Sequence, residues 1–193
     1  MSDAGLYQLE LFLDSQSTEF TLSIQARISV DSQVEGCVVD DKRQTLFFAE
    51  EDRGIWSLSL EKQSGNTTQP QLLAAVDNKI LAADIEGLSL YLTGDSGYLI
   101  ASNQGNDSNA AFSRDGKDFI GQFRVALNMQ AGIDGSSETD GLEVTSAYLG
   151  PDYPEGLLVI QDGRNRLPSA TQNFKLVGWD SVRKSLDHNA IAK

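Results

Sequence analysis

The sequence predicts an all-β fold: a β-propeller of four-stranded antiparallel blades, only partly completed by this chain. Three observations predict it. First, one layout occurs three times: an acid, a glycine, an alternating strand, a turn, an apolar strand and a polar loop. It runs through residues 34–52, 85–109 and 139–163. Second, the acids that open the copies, Glu35, Glu86 and Asp140, lie roughly 51 and 54 residues apart, close to the ~50-residue period of propeller repeats. Third, the middle repeat holds four strand patterns (88–92, 98–101, 110–113 and 119–125), the number in a propeller blade. At this period the chain makes about three and a half blades in a single domain. Residues 1–31 form a half blade, and 32–80, 81–135 and 136–193 form three successive blades.

The elements follow in order. Residues 7–13 and 20–24 alternate apolar and polar side chains around a polar turn at 14–17, the pattern of two half-buried strands. Residues 26–30 lead into the first full repeat, so the opening segment reads as the outer half of a blade. Strands are then expected over 34–39, 45–49 and 54–60. A Ser-, Gly- and Thr-rich loop covers 61–71, followed by a short strand or helical turn at 72–76.

In the second repeat, Leu88, Leu90 and Leu92 alternate with Ser89 and Tyr91. Gly94, Asp95, Ser96 and Gly97 supply hairpin-turn chemistry. Residues 102–109 have too little apolar surface for a core strand and read as an oxygen-rich loop. Beyond the strands of the third repeat, the last at 173–177, Asp180 is a candidate N-cap for a short helix over 180–186. The end, 189–193, reads as frayed.

Composition narrows the function classes. With 193 residues, 40% of them hydrophobic and 22% charged, the chain can bury a core as one domain. A net charge of −13 disfavours nucleic acid and anionic membranes, because nothing offsets repulsion from phosphates. No run approaches the ~18 apolar residues of a membrane span, and the first residues lack the basic start and apolar block of a signal peptide. The single cysteine, Cys37, excludes an intramolecular disulfide and reads as a small buried hydrophobe. His188, the only histidine, lies too near the end for a general base. Trp56 and Trp179 read as packing residues.

Candidate site residues are the oxygen carriers at matching points of each repeat. Calcium takes six to eight oxygen ligands from carboxylates, amides, carbonyls and water. Glu35, Glu50, Glu51, Asp52, Glu86, Gln104, Asn106, Asp140, Asp162 and Asn173 supply them, and a propeller draws equivalent blade positions toward one axis. The competing reading gives these acids structural work against the backbone of an adjacent blade.

The segments Q-V-E-G-C-V-V-D-D, A-E-E-D-R-G-I-W, A-D-I-E-G-L, A-S-N-Q-G-N, E-T-D-G-L, Y-P-E-G-L-L-V-I-Q-D-G and Q-N-F-K-L-V-G-W follow one another in that order. Over residues 32–182 they resemble the second half of the β-propeller phytases, calcium-dependent phosphatases acting on inositol hexakisphosphate. The resemblance implies a six-bladed parent and an exported (extracellular or periplasmic) setting. It implies Ca2+ as cofactor, and phytate or another phosphorylated small molecule bound through it.

It also implies roles. Glu86 and Glu35 would be catalytic. Glu50, Glu51, Asp52, Asp140, Asp162 and Asn173 would hold metal, and Gln104 and Asn106 would meet substrate. The family's N-terminal D-D-P-A-x-W and N-N-x-D-x-R segments, which contribute calcium ligands and phosphate-gripping bases, are absent. Where the family has a lysine before Q-x-E-G, Ile28, Ser29 and Val30 stand here; Arg27, Arg53, Arg114 and Lys117 are the candidate substitutes. The expectation is therefore a calcium-dependent phosphomonoesterase unit, weak or inactive alone. The alternative is a non-catalytic propeller module that binds calcium or a partner. Its end sheets would have open flanks, which favours pairing with the missing blades or with a second copy.

Overall fold

The computed structural model describes residues 5–13, 20–61 and 69–191, with side chains over 27–61 and 69–188. The turn at 14–17 lies outside the described residues, as does most of the loop at 61–71. Apart from one helix and a 3-10 turn, the regular structure of the described residues is all strand, in four antiparallel sheets. The propeller-type blades expected from the repeats are present.

An N-terminal hairpin pairs β1 (Gly5–Leu13) with β2 (Phe20–Ser29). The first blade follows as β3 (Val34–Asp40), β4 (Thr45–Glu50), β5 (Gly54–Ser59) and β6 (Gln71–Ala75). The second is β7 (Ile85–Thr93), β8 (Ser96–Asn103), β9 (Ser108–Ser113) and β10 (Phe119–Phe123). In both, each strand pairs with the next in sequence. The third sheet has three strands, β11 (Leu142–Thr145), β12 (Leu157–Asp162) and β13 (Asn173–Gly178). A helix, α1 (Trp179–Ile191), follows them.

The blades stack face to face, and the middle blade is buried on both sides. Leu99 and Ala101 of β8 join a core with Phe47, Ala49, Ile55, Leu88 and Phe112. Ile100, one residue out of phase, joins the core on the other side with Leu158, Ile160, Val144 and Trp179. That is why 98–101 reads as one apolar run rather than alternating. Leu46, Phe48 and Leu58, on the outer face of the first blade, pack with Ile28 of β2.

Several expectations are corrected. Residues 102–109 are not all loop: Ser102 and Asn103 end β8, and Ser108 and Asn109 begin β9, all four buried. Hydrogen bonds replace apolar burial. Ser102 Oγ donates to the Thr139 carbonyl at 2.6 Å, and Asn103 Oδ1 accepts the Ala82 N–H at 2.9 Å. Only residues 104–107 leave the sheet, as a 3-10 turn (Gln104–Asn106) followed by the left-handed Asp107. Of the two readings of 72–76, the strand is the one found, as β6 over Gln71–Ala75.

Cys37 is exposed rather than buried, because the β3 residues that pack are those in phase with Val38. The helix starts at Trp179, so Asp180 lies in its first turn and pairs with Lys184 at 2.9 Å. It extends through Ile191, past the expected end.

Candidate metal centre

The acid-glycine pair of each repeat sits at the start of a blade's first strand, and backbone contact brings the pairs together. A Cβ built on Gly36 would lie 2.1 Å from the Glu86 carbonyl oxygen, and one on Gly87 would lie 2.9 Å from Leu142 N and 3.2 Å from Gly141 Cα. Each glycine is the seat for the next blade's acid-glycine segment, a close approach that a side chain would block. The strand registers shift between Val34 and Cys37 and between Ile85 and Leu88. Both Glu-Gly pairs therefore lie on bulges, the irregularity that re-aims side chains near functional sites.

Glu86, half-buried, lies at the centre of this set. Its carboxyl is pushed up to about 7 by burial first, then by repulsion from Glu35, Asp140, Glu51 and Asp84. Glu51 is raised too, by burial, a hydrogen bond with Asp84 and the charges of Asp52, Asp84 and Glu35. Burial and neighbouring acids are what raise these two groups. Asp84, not singled out in the sequence, belongs to the cluster; its place just before the second repeat's strand was the available signal.

Asp140 is exposed and held from two sides. Gln104 Nε2 donates to its Oδ1 at 2.7 Å, and Gln161 Nε2 donates to its Oδ2 at 3.2 Å. Gln161 Oε1 also accepts the Asp140 N–H at 2.7 Å. Asn106 Oδ1 accepts from Ser108 Oγ, and its carbonyl accepts from Arg124. Asp52 is exposed, its N–H donating to Ser32 Oγ at 3.3 Å.

The other candidates lie apart from this cluster or are already bonded. Glu50 is 1% exposed, and its Oε1 accepts the N–H groups of Asp31 and Ser32 at 2.6 and 2.7 Å. Asp162 and Asn173 surround an ammonium group. Lys175 Nζ lies 2.7 Å from Asp134 Oδ1, 2.7 Å from Asn165 Oδ1, 2.9 Å from Asn173 Oδ1 and 3.0 Å from Asp162 Oδ2. Burial alone would lower the Lys175 ammonium, but Asp134 and Asp162 outweigh it and the group is raised. Asp134 is drawn down to about 2, chiefly by Lys175.

Of the candidate phosphate-gripping bases, Arg114 is buried in an ion pair with Asp40. Arg53 pairs with Asp31 at 3.3 Å and Lys117 with Asp115 at 3.6 Å, all exposed.

The donor set suits a hard cation by charge and chemistry: Glu86 and Glu51 are acted on by neighbouring acids and burial, and the amides of Gln104 and Gln161 flank Asp140. Among the described residues, no three His, Cys, Asp or Glu side chains form a ready-made cage. A cation held here would need water or ligand oxygens to complete its shell.

The phytase family model matches residues 5–192. The chain belongs to the phytase family. It is similar to a 3-phytase of Bacillus subtilis (strain 168), with 42% identity over 161 residues, which make up 81% of this chain and 41% of that one. This phytase-family chain thus spans about two-fifths of that relative's length. Among solved structures, a chain in the crystal structure of a nidogen/laminin complex superposes with a TM-score of 0.55 at 14% identity. It covers 88% of this chain and 53% of that one, a likeness of fold alone. The described part of this phytase-family chain has no helix long and apolar enough to cross a membrane.

Proposed function

We propose that this chain is a calcium-binding, phytase-type phosphomonoesterase unit in which the acid corners of the blades face phosphorylated inositol. The observation that carries the reading is geometric: Gly36 seats against the Glu86 carbonyl and Gly87 against the Asp140-Gly141 segment, which gathers the acid corners of three blades, and burial with the charges of Glu35, Asp140, Glu51 and Asp84 raises Glu86 there. A carboxylate cluster this poorly balanced repels phosphate unless cations stand between them. Calcium, when bound, would supply the positive charge that draws phosphate to this surface and stabilises charge developing on it.

The chain's own residues do the rest. Gln104 and Gln161 fix both carboxylate oxygens of Asp140. Glu51 and Asp84 share a hydrogen bond beside Glu86. Glu86, with Glu35 beside it, is the carboxylate assigned to accept a proton from the attacking water. Glu51, Asp52, Asp140 and the more remote Glu50 are assigned to metal, with Gln104 and Asn106 toward substrate. Asp162 and Asn173 act there only if Lys175 yields them. An exported setting belongs to the same reading.

A second reading, a non-catalytic calcium- or partner-binding module, is favoured by the engagement of Glu50, Asp162 and Asn173 with protein groups. One pair of measurements separates the two: thermal unfolding with calcium or chelator, then phosphate release from phytate. A calcium-dependent rise in Tm with slow hydrolysis that Glu86→Gln abolishes supports the phosphomonoesterase. A rise in Tm without hydrolysis supports the module, and no rise removes both.

A further inference from the structure

Arg124 directly follows β10, at the end of the second blade where the acid corner lies. Ile85 pairs with Asn103, Asn103 with Ser108, and Asn109 with Phe123, so the row that begins beside Glu86 ends beside Arg124. The exposed Arg124 guanidinium donates from Nη2 to a neutral partner, the Asn106 carbonyl, at 2.7 Å. The acids around it are engaged elsewhere. Asp134, which lines a groove together with Arg124, is bonded to Lys175 and to the N–H groups of Arg166 and Leu167. Asp107, next to Asn106, accepts the Glu138 N–H at 2.9 Å, and Glu138 itself pairs with Arg164 at 2.5 Å. In a chain of net charge −13, this arginine is left without a carboxylate partner among the described residues.

The contact with Asn106 ties Arg124 to the corner. Asn106 ends the 3-10 turn whose first residue, Gln104, donates to Asp140 Oδ1 at 2.7 Å. A Cβ on Gly105 would lie 2.0 Å from the Ala83 carbonyl oxygen, so the same turn is seated on the segment that leads into Asp84 and Glu86. The second sheet runs β7, β8, β9, β10. With neighbouring strands about 4.8 Å apart, the backbone of Arg124 stands about 14 Å outward of the strand that carries Glu86. Reaching back to the β8–β9 turn, its guanidinium comes to roughly 5–10 Å from that strand.

We propose that Arg124 grips a second phosphate of the substrate and so selects molecules with several phosphates on one ring over singly phosphorylated ones. This rests on the phosphomonoesterase reading, in which the phosphate to be cleaved lies at the acid corner. A guanidinium has five N–H donors and takes phosphate through two of them at once; one hydrogen bond to Asn106 leaves that fork open. It stays charged at any working pH and is more weakly hydrated than an ammonium. Arg53 and Lys117 would each have to leave an acid to meet an anion, whereas Arg124 breaks no ion pair. Its offset from Glu86 puts it beyond the reacting phosphate, so it is a specificity residue and not a catalytic one.

The test is calorimetric binding of inositol hexakisphosphate and of inositol monophosphate in calcium buffer. The proteins are the parent, Arg124→Gln, Arg124→Lys and Lys117→Gln. Arg124→Gln should weaken hexakisphosphate binding about tenfold and leave monophosphate binding unchanged. Arg124→Lys, which keeps the charge and loses the fork, should fall between. Lys117→Gln removes the same charge from the β9–β10 turn, at the opposite end of the blade, and should match the parent. Because Arg124 is exposed, all four should show the same rise in Tm with calcium. Hexakisphosphate binding as tight in Arg124→Gln as in the parent overturns the proposal and leaves the phosphomonoesterase reading standing. So does an equal loss for both ligands, or an equal loss in Lys117→Gln. A parent with no calcium-dependent rise in Tm and no binding of either ligand overturns the reading and the role of Arg124 with it.

Discussion

Arg114 and Asp40 form a buried two-pronged ion pair that locks the first blade to the second. Arg114 Nε and Nη2 reach the two Asp40 carboxylate oxygens at 2.6 and 2.7 Å, and Nη1 donates to the Gly94 carbonyl at 2.9 Å. Both side chains are under 5% exposed. Asp40 lies at the far end of β3 from Glu35, so the clamp and the acid corner grip the same pair of blades at opposite ends. Lys42 and Arg43 reinforce it through Asp95.

Removing one partner should therefore cost more than removing both. Arg114→Met strands the Asp40 carboxylate, whose acidity the arginine raises by hydrogen bonding, and is expected to lower unfolding free energy by about 3 kcal/mol. The double variant Asp40→Asn/Arg114→Met should recover part of that loss. Denaturant unfolding of the three proteins measures both effects.

The corner glycine is equally testable. Gly36→Ala places a methyl 2.1 Å from the Glu86 carbonyl oxygen. Backbone must move, and overpacking of this kind costs about 1–3 kcal/mol. Gly141→Ala meets nothing and should leave the melting temperature unchanged. Equal destabilisation by the two substitutions would contradict the seat described above.

Protonation of Glu86 gives a pH signature. Its folded value of about 7 stands above the ordinary 4.5, so the folded state holds the proton more tightly than the unfolded chain. Stability from this group is present below the ordinary value and is lost as pH rises toward 7. In chelator, Glu86→Gln should stabilise the protein at pH 8 by about 1 kcal/mol, after allowance for solvent screening, and make little difference at pH 4. Calcium should shrink the pH 8 gain. Thermal melts at the two pH values, with and without calcium, decide it.

Lys175→Met removes the ammonium from among Asp134, Asp162, Asn165 and Asn173, leaving the 1%-exposed Asp162 carboxylate without its charge partner. A loss of about 3 kcal/mol is expected. Asp134, held at about 2 by Lys175, contributes stability above the ordinary carboxylate value that fades as pH falls toward 2. The variant should therefore show a weaker acid-induced loss of stability between pH 4 and pH 2, read by melts across that range.

The sequence made the strands and the repeat legible because alternation and turn residues are local signals. The apolar run at 98–101 and the acid-glycine pairs carried the architecture, and the phytase-type motifs carried the family. Pairing across distance was not legible. Asp162 and Asn173 look like metal ligands in a linear reading because the lysine they share follows both, two residues from Asn173 and thirteen from Asp162. Only the β12–β13 register, Asp162 opposite Asn173 and Ile160 opposite Lys175, brings the ammonium to both. Arg114 was equally opaque, since its partner is 74 positions away. Ser102 and Asn103 were misjudged because a polar side chain can sit in a core when it finds bonding partners there.

The nest around Lys175 makes the two halves of the molecule answer differently to their surroundings. One blade carries its counter-ion as part of the polypeptide and needs nothing from the medium to keep its acids apart. The acid corners around Glu86 have only burial and other acids acting on them. On the calcium reading proposed above, depleting divalent ions would loosen those corners and leave the packing around β13 intact, so outside metal would govern one end of the blades and not the scaffold behind it.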